Sequence, residues 1–168
     1  MVLDAARLLL FPAIMAFAAT SDLFTMTISN RVSLALTVVF FALALVMGLD
    51  ATEVAWHVAA GVTVLAITFV FFTRDWIGGG DAKLAAVTAL WLGFDHLLAY
   101  AVYASLFGGV LTVVVVYFRM QAFPAVLAGQ KWLERLHSPE AGVPYGIALA
   151  VAALVVYPDT IWMKALSF

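Results

Sequence analysis

Two acidic residues stand out in a chain that is otherwise almost wholly apolar. Asp22 follows the first apolar run in "ATSDLFTMTISNR", and Asp81 follows three glycines in "DWIGGGDAK". A carboxylate at membrane depth costs roughly 3 kcal/mol on insertion scales, so such a residue suggests a function. Two carboxyls a few ångströms apart cannot both ionise easily and would share a proton. Such a pair can hydrolyse a peptide, because the ionised member activates water while the neutral one polarises the scissile carbonyl.

The glycines before Asp81 are the second feature with a chemical use. Gly78, Gly79 and Gly80 lack Cβ atoms and let another backbone approach closely, so a substrate strand could lie against them. Asp81 would then stand in the first turn of the following helix. The alternative is a flexible turn in which Asp81 is only the N-cap of that helix. Asp22 at a matching depth favours a paired site.

No other group of residues predicts a competing chemistry. The chain has no cysteine, which excludes disulfides, thiolate metal sites and cysteine nucleophiles. Its serines lack a histidine and an acid in any recognisable order. The histidines, His57, His96 and His137, fall on both sides of the predicted membrane. We therefore expect no metal site and no cofactor.

The composition identifies the compartment in which these residues must work. Of the 168 residues, 66% are hydrophobic and 11% are charged, and the mean hydropathy is +1.11. A bilayer core about 30 Å thick takes roughly 20 apolar residues per helix. We predict an all-α polytopic membrane protein with a single domain, residues 1–168, and about six spans. The apolar runs are Leu3 to Ala19, Val32 to Leu49, Val54 to Phe72, a short run from Ala82 to Phe94, Leu97 to Phe118, and Val143 to about Leu166 with Pro158 inside it.

The basic residues predict the orientation of these spans. With the N-terminus outside, only Arg7 and Lys164 remain outside, and the C-terminus is outside as well. Asp22 and Asp81 then both lie near the cytoplasmic edge. The basic residues on the cytoplasmic side are Arg31, Arg74, Lys83, Arg119, Lys131 and Arg135.

The main polar segment, Met120 to Gly142, lies between the last two runs. Within it, Lys131 to His137 reads as a short amphipathic helix at the inner surface, in contact with anionic lipid. Tryptophans near the span ends read as interfacial anchors. The net charge of −2 gives no indication of nucleic-acid binding. The tryptophans concerned are Trp56, Trp76 and Trp162.

Three segments fit a recognisable pattern in a fixed order. Gly78-Gly79-Gly80-Asp81 fits GxGD, and Lys83-Leu84 fits its continuation in "GxGDxKL". Upstream, Asp22 and Ile28-Ser29-Asn30 fit an aspartate followed by a spacer and I-P-N, with serine in place of the proline. Downstream stands "GVPYGIALA", from Gly142 to Ala150. In these segments the chain resembles the prepilin peptidases, which are polytopic aspartyl proteases of the GxGD class.

The resemblance implies a catalytic role for Asp22 and Asp81. It also implies a substrate, a pilin precursor whose basic leader stays in the cytoplasm while its apolar helix lies in the bilayer. Cleavage would fall between the two, at the inner surface of a bacterial cytoplasmic membrane. The cytoplasmic placement from charge counting agrees with this.

The branch of the family follows from what lies between the first two spans. Bifunctional members carry an added cytoplasmic domain there, often with zinc-binding cysteines, and also N-methylate the pilin. Here only Met26 to Arg31 fills that place. The chain therefore resembles the compact, peptidase-only branch that serves Flp-type tight-adherence pili, and we expect no methyltransferase activity. An archaeal-type preflagellin peptidase is the near alternative, with Met120 to Gly142 as a modest version of its late insertion.

Two functions of other classes are the alternatives. A small transporter or channel component could bind a cation or relay protons through Asp22 and Asp81. A structural scaffold would give no reason for two acids at one depth.

Overall fold

The structure, a computed structural model, describes residues 2–164, and this part of the chain consists of helices joined by loops, with no strand. Within the described residues, four helices are long and apolar enough to cross a membrane: α1, α2, α3 and α5. The predicted all-helical polytopic architecture is confirmed. The helices are α1 (Val2–Thr25), α2 (Asn30–Met47), α3 (Ala51–Thr73), α4 (Gly79–Leu92), α5 (Phe94–Met120), α6 (Lys131–His137), α7 (Tyr145–Val156) and α8 (Ile161–Lys164), with 3-10 turns at Ala125–Leu127 and Tyr157–Asp159.

Two of the six predicted spans are short helices inside the bundle. α4 has 14 residues and α7 has 12. At 1.5 Å per residue they are about 21 and 18 Å long, less than a hydrocarbon core of about 30 Å. α4 is buried at every position from Leu84 to Leu92, and half of the residues of α7 are buried. α4 is therefore surrounded by protein along most of its length, whereas α7 also has exposed residues.

The prediction for the last span is wrong in one respect. The run from Val143 to about Leu166 is not one helix, because α7 ends at Val156 and α8 begins only at Ile161. Pro158 stands in the 3-10 turn between them. Proline lacks an N–H and its ring clashes with the carbonyl four residues earlier, which explains the break. Residues 165–168 lie outside the described part.

α4 is the centre of the bundle. Its largest contact is with α3, and it also packs against α2 and α7. Gly61 lets α3 approach closely, since a methyl group there would lie 3.2 Å from both the Ala86 carbonyl oxygen and Leu90 Cβ. α7 in turn packs against α1 and α5. α2 and α7 each contact both α1 and α4, so they hold these two helices at a fixed relative position.

A buried aromatic cluster closes the end of the bundle where α4 finishes. Trp162 is fully buried and donates its indole N–H to the Trp91 carbonyl oxygen at 2.8 Å. The expectation that Trp162 is an interfacial anchor is therefore wrong: the break at Pro158 folds α8 back onto the core. The rings of this cluster are Phe11, Phe40, Trp91, Tyr157 and Trp162.

The predicted amphipathic helix is confirmed with the predicted bounds, as α6. Arg135 donates to the Phe24 carbonyl oxygen at 3.1 Å, and the Trp132 ring meets Phe24 edge to face at 5.1 Å. Arg119 at the end of α5 donates to the carbonyl oxygens of Leu136 and Gly142, each at 2.8 Å. The segment between α5 and α7 is thus bonded to the ends of α1 and α5.

Candidate active site

The first of the two acids lies in the last turn of α1. The helix extends beyond the predicted end at Ala19 to Thr25. It stops at Met26, whose φ of 54° is left-handed and whose N–H donates to the Asp22 carbonyl oxygen at 2.8 Å. The Asp22 side chain is buried, with 5% of the residue exposed. It points into the bundle.

The loop after α1 returns the chain directly into α2. Ser29 is the N-cap of α2 and accepts a hydrogen bond from the Arg31 N–H at 3.3 Å. Its φ of −65° is the angle that a proline ring imposes. Serine in place of the proline of the I-P-N pattern therefore keeps the same backbone path and adds a capping oxygen.

The second acid lies in the first turn of α4, as predicted. The N-cap of this helix is Gly78, so the alternative in which Asp81 is the N-cap is wrong. The Asp81 carboxyl turns back to the backbone amide of Gly78. Methyl groups at the other two glycines would lie 3.2 Å from a Phe72 ring carbon and 3.1 Å from Ile28 Cβ, respectively. Gly79 and Gly80 thus face residues of this chain, and substrate binding at Gly78, Gly79 and Gly80 stays a prediction.

The fold brings the two carboxyls into one site. Asp22 and Asp81, called the acid pair below, interact electrostatically with each other. The N–H of Gly146, in the first turn of α7, donates to Asp22 Oδ2 at 2.7 Å. Ile28 lies between Gly80 and Gly146, close enough to both to leave no room for a methyl group without displacement. The site is therefore assembled from α1, the loop after it, α4 and α7.

The N-terminus of a short helix lies beside each member of the acid pair. Asp22 accepts from α7, and Asp81 lies in the first turn of α4. The first turn of a helix carries unpaired N–H groups and a partial positive charge, which suit a carboxylate. Short helices that begin inside a membrane protein are a recurrent setting for such sites. This arrangement keeps two acidic groups in an otherwise apolar bundle.

Lys83 and Asn30 lie beside the acid pair and bond each other. Lys83 Nζ donates to Asn30 Oδ1 at 2.8 Å, which ties the start of α4 to the start of α2. The ammonium group is thus engaged with an amide rather than with either acid. Its role is to join two helices near the site.

His57 and two cavities lie outside this site. His57 is buried at the other end of the bundle, with Nδ1 2.8 Å from the Leu90 carbonyl oxygen. Within residues 2–164, no three His, Cys, Asp or Glu side chains are grouped so that they could hold a metal ion. A cavity of about 640 Å³ opens beside His57, and one of about 440 Å³ lies between α2, α3 and α4. Neither is lined by Asp22 or Asp81.

Two residues of the site were not among the predicted site residues. Gly146 and Ile28 both contact Asp22 or its immediate surroundings. The signals in the sequence are the "PYG" segment, for which ordinary helix packing is the favoured interpretation, and the "ISN" segment, in which capping of the second helix is an equally good explanation for Asn30. Only the tertiary contacts identify them as neighbours of Asp22.

A comparison with known families gives one result. The sequence model of the type IV leader peptidase family matches residues 9–113, well over half of the chain. The match contains both acids and the glycines, and it ends before α7. Searches of curated proteins and of solved structures found no match.

Proposed function

Because the chain belongs to the type IV leader peptidase family, we propose that it is a membrane aspartic endopeptidase whose catalytic residues are Asp22 and Asp81. The family makes it a peptidase, and its long apolar helices make it a multi-pass membrane protein. The observation that carries the catalytic assignment is the shared site of the acid pair. Two acids far apart in sequence interact there: Asp81 lies in the first turn of α4, and Asp22 accepts a hydrogen bond from the first turn of α7.

The proposed reaction is hydrolysis of one peptide bond. The ionised carboxyl takes a proton from a water molecule, and the water oxygen attacks the scissile carbonyl carbon. The protonated carboxyl donates a hydrogen bond to the carbonyl oxygen while negative charge develops there. The carboxyl that took the proton from water then gives it to the peptide nitrogen as the C–N bond breaks. The products are a new carboxyl end on the leader and a new amino end on the mature protein.

We propose that the substrate is the precursor of an Flp-type pilin, cut at the cytoplasmic face of a bacterial cytoplasmic membrane. Helix directions support this side. Arg31, Arg74 and Arg119 stand at the ends of α2, α3 and α5 that lie at the acid-pair end of the bundle. A surplus of basic residues at that end is typical of the cytoplasmic side. The basic leader would stay in water while the apolar helix of the precursor enters the bilayer.

The proposal is restricted to peptidase activity. The connection from α1 to α2 is a short loop between Thr25 and Asn30, and the chain has no cysteine. Neither an inserted domain nor a thiolate zinc site can therefore stand between these helices. We propose that the protein does not methylate the mature pilin.

Coexpression with an epitope-tagged Flp-type precursor tests the proposal. Asp22→Asn and Asp81→Asn should each lower processing, seen as a gel shift, by about 10²-fold or more, because each removes an acid–base group. Asp95→Asn, which changes an exposed acid at the other end of the bundle, is the matched control and should process normally. Full processing by Asp22→Asn or Asp81→Asn would remove the catalytic assignment. A precursor left uncut by the wild-type protein would contradict the proposed substrate. An ion-coupled transporter, the alternative function, predicts that outcome.

A further inference from the structure

We propose that Gly146 is a positioning residue for Asp22, and that α5 holds Gly146 in place through Tyr145. The inference rests on the proposed function and deepens it. It concerns α7, which lies beyond the part of the chain that matches the family model. Gly146 does not touch the substrate in this proposal. It acts by fixing the direction of one carboxyl.

Gly146 is in close contact with both Asp22 and Ile28. The Gly146 N–H is one of the first N–H groups of α7, which have no partner within the helix, and it donates to Asp22 Oδ2 at 2.7 Å. A methyl group at Gly146 would lie 2.8 Å from that oxygen and 3.1 Å from Asp22 Cβ. It would also lie 2.7 Å from Ile28 Cδ1. Only glycine permits this approach, so any side chain must move Asp22 or the helix.

The neighbouring residue attaches this turn to α5. Tyr145 Oη and Thr112 Oγ1 are 2.9 Å apart, and Thr112 Oγ1 also donates to the Gly108 carbonyl oxygen at 2.8 Å. A threonine hydroxyl has a single proton, so Tyr145 is the donor to Thr112. The Tyr145 ring lies on Gly108, where a methyl group would be 2.7 Å from ring carbon Cε1. Gly108 and Thr112 thus form the binding site for the Tyr145 side chain on one face of α5.

The chain before α7 limits its freedom further. Pro144 is buried and is the N-cap of α7. Two residues earlier, the Gly142 carbonyl oxygen is bonded by Arg119 of α5. The start of α7 is therefore held to α5 at two places on either side of Pro144. α5 therefore fixes the start of α7, and the start of α7 in turn fixes the direction of the Asp22 carboxyl.

This geometry predicts an effect on turnover rather than on binding. Gly146 is buried, so a bound substrate has no direct access to it. A displacement of about 1 Å in a catalytic group can cost about 10²-fold in rate. Gly146→Ala should lower kcat by about 10²-fold and change KM by less than about twofold. Tyr145→Phe, which removes only the hydroxyl bonded to Thr112, should lower kcat by a smaller factor of about 3 to 10, since one hydrogen bond is lost.

Gly109 provides a matched control. A methyl group at Gly109 would meet nothing within 4 Å. Gly109→Ala therefore controls Gly108→Ala on the next position of α5, and it is also the glycine-to-alanine control for Gly146→Ala. We expect Gly109→Ala to keep kcat, and Gly108→Ala to lower it. Rates are measured on purified protein in detergent with the precursor as substrate. They are expressed per mole of folded enzyme, and thermal unfolding measures the folded fraction of each variant.

A double variant separates positioning from general crowding. Ile28→Val removes Cδ1, the atom closest to a methyl group at Gly146, and leaves the contact with Asp22 Oδ2. If displacement of Asp22 is the cause, Gly146→Ala combined with Ile28→Val stays slow. Recovery of kcat to the level of Ile28→Val alone would overturn the inference.

The outcomes also distinguish this inference from the proposed function. An active wild type and an inactive Asp22→Asn variant, together with an unchanged kcat in Gly146→Ala, would overturn this inference and leave the proposed function standing. Active Asp22→Asn would overturn both. Should Gly146→Ala not fold, Tyr145→Phe decides, because it removes a single oxygen from a partly exposed ring. An unchanged kcat in Tyr145→Phe would then overturn the inference.

Discussion

Residues without chemical function bring the two acids together. Gly80 admits Ile28 to the start of α4, and Gly146 admits both Ile28 and the Asp22 carboxylate to the start of α7. A larger side chain at either glycine would separate the elements that carry the acids. The acids can be recognised in the sequence because a carboxylate is costly in a membrane. The glycines matter only through the short distances that they allow between elements.

Ser29 gives a prediction at this scale. Ser29→Ala removes the cap on the Arg31 N–H and should cost about 0.5–1 kcal/mol. Ser29→Pro loses the same bond but suits the φ of −65°, and the stiffer unfolded chain offsets the loss by about 0.4–1 kcal/mol. We expect Ser29→Pro to unfold at a higher temperature than Ser29→Ala in the same detergent. The reverse order would contradict the assigned loop geometry.

Among the helices, the short ones carry the site and the long ones surround it. α4 and α7 begin beside Asp22 and are enclosed by α1, α2, α3 and α5. Their length allows their N-terminal turns to lie inside the protein, where unpaired N–H groups can meet carboxyls. Close packing of α3 on α4 fixes the depth of Asp81, and Gly61 makes that packing possible.

Gly61 gives a prediction for this interface. Gly61→Val places new atoms within 3.2 Å of the α4 backbone at Ala86 and should destabilise the protein by about 1–3 kcal/mol through overpacking. Gly109→Val makes the same change where the space is open, so it serves as the control. Thermal unfolding in detergent compares the two. Equal unfolding temperatures would show that α3 is free to move away from α4.

Over the whole molecule, the two ends of the bundle differ in kind. One end holds the acid pair, most of the basic residues and α6, and the other, which includes Arg7 and Lys164, is closed by buried aromatic rings and α8. Chemistry and charge are thus concentrated where α1 finishes, while the far end is a packed core. This asymmetry suits an enzyme that meets its substrate from one side.

The orientation in the membrane is the prediction at this scale. Alkaline phosphatase inserted after Asp50, in the turn between α2 and α3, should be active because we expect that turn outside. The same insertion after Gly129, between α5 and α6, should be inactive, and a green fluorescent protein there should fluoresce. Exposed loops tolerate such insertions best. Activity of the phosphatase inserted after Gly129 would show that the orientation is the reverse of the predicted one.

Much of the fold and part of the site could be predicted from the sequence. Apolar runs of about the length that a bilayer requires predicted α1, α2, α3 and α5, and the charged periodicity of Lys131 to His137 predicted α6. The last run was predicted as one helix because its composition is apolar throughout. The break at Pro158 and the burial of Trp162 depend on how α8 packs against Trp91.

By itself, the sequence determined that this protein lies in a membrane, that it is helical, and that Asp22 and Asp81 are the residues to explain. These properties depend on transfer free energies, which belong to each residue and add along the chain. Only the tertiary structure decided that Gly146 bonds Asp22, that Ile28 lies between two glycines, and that α4 is the central helix. Those facts are distances between segments far apart in the chain, and contact distances are set by packing, which no single segment contains.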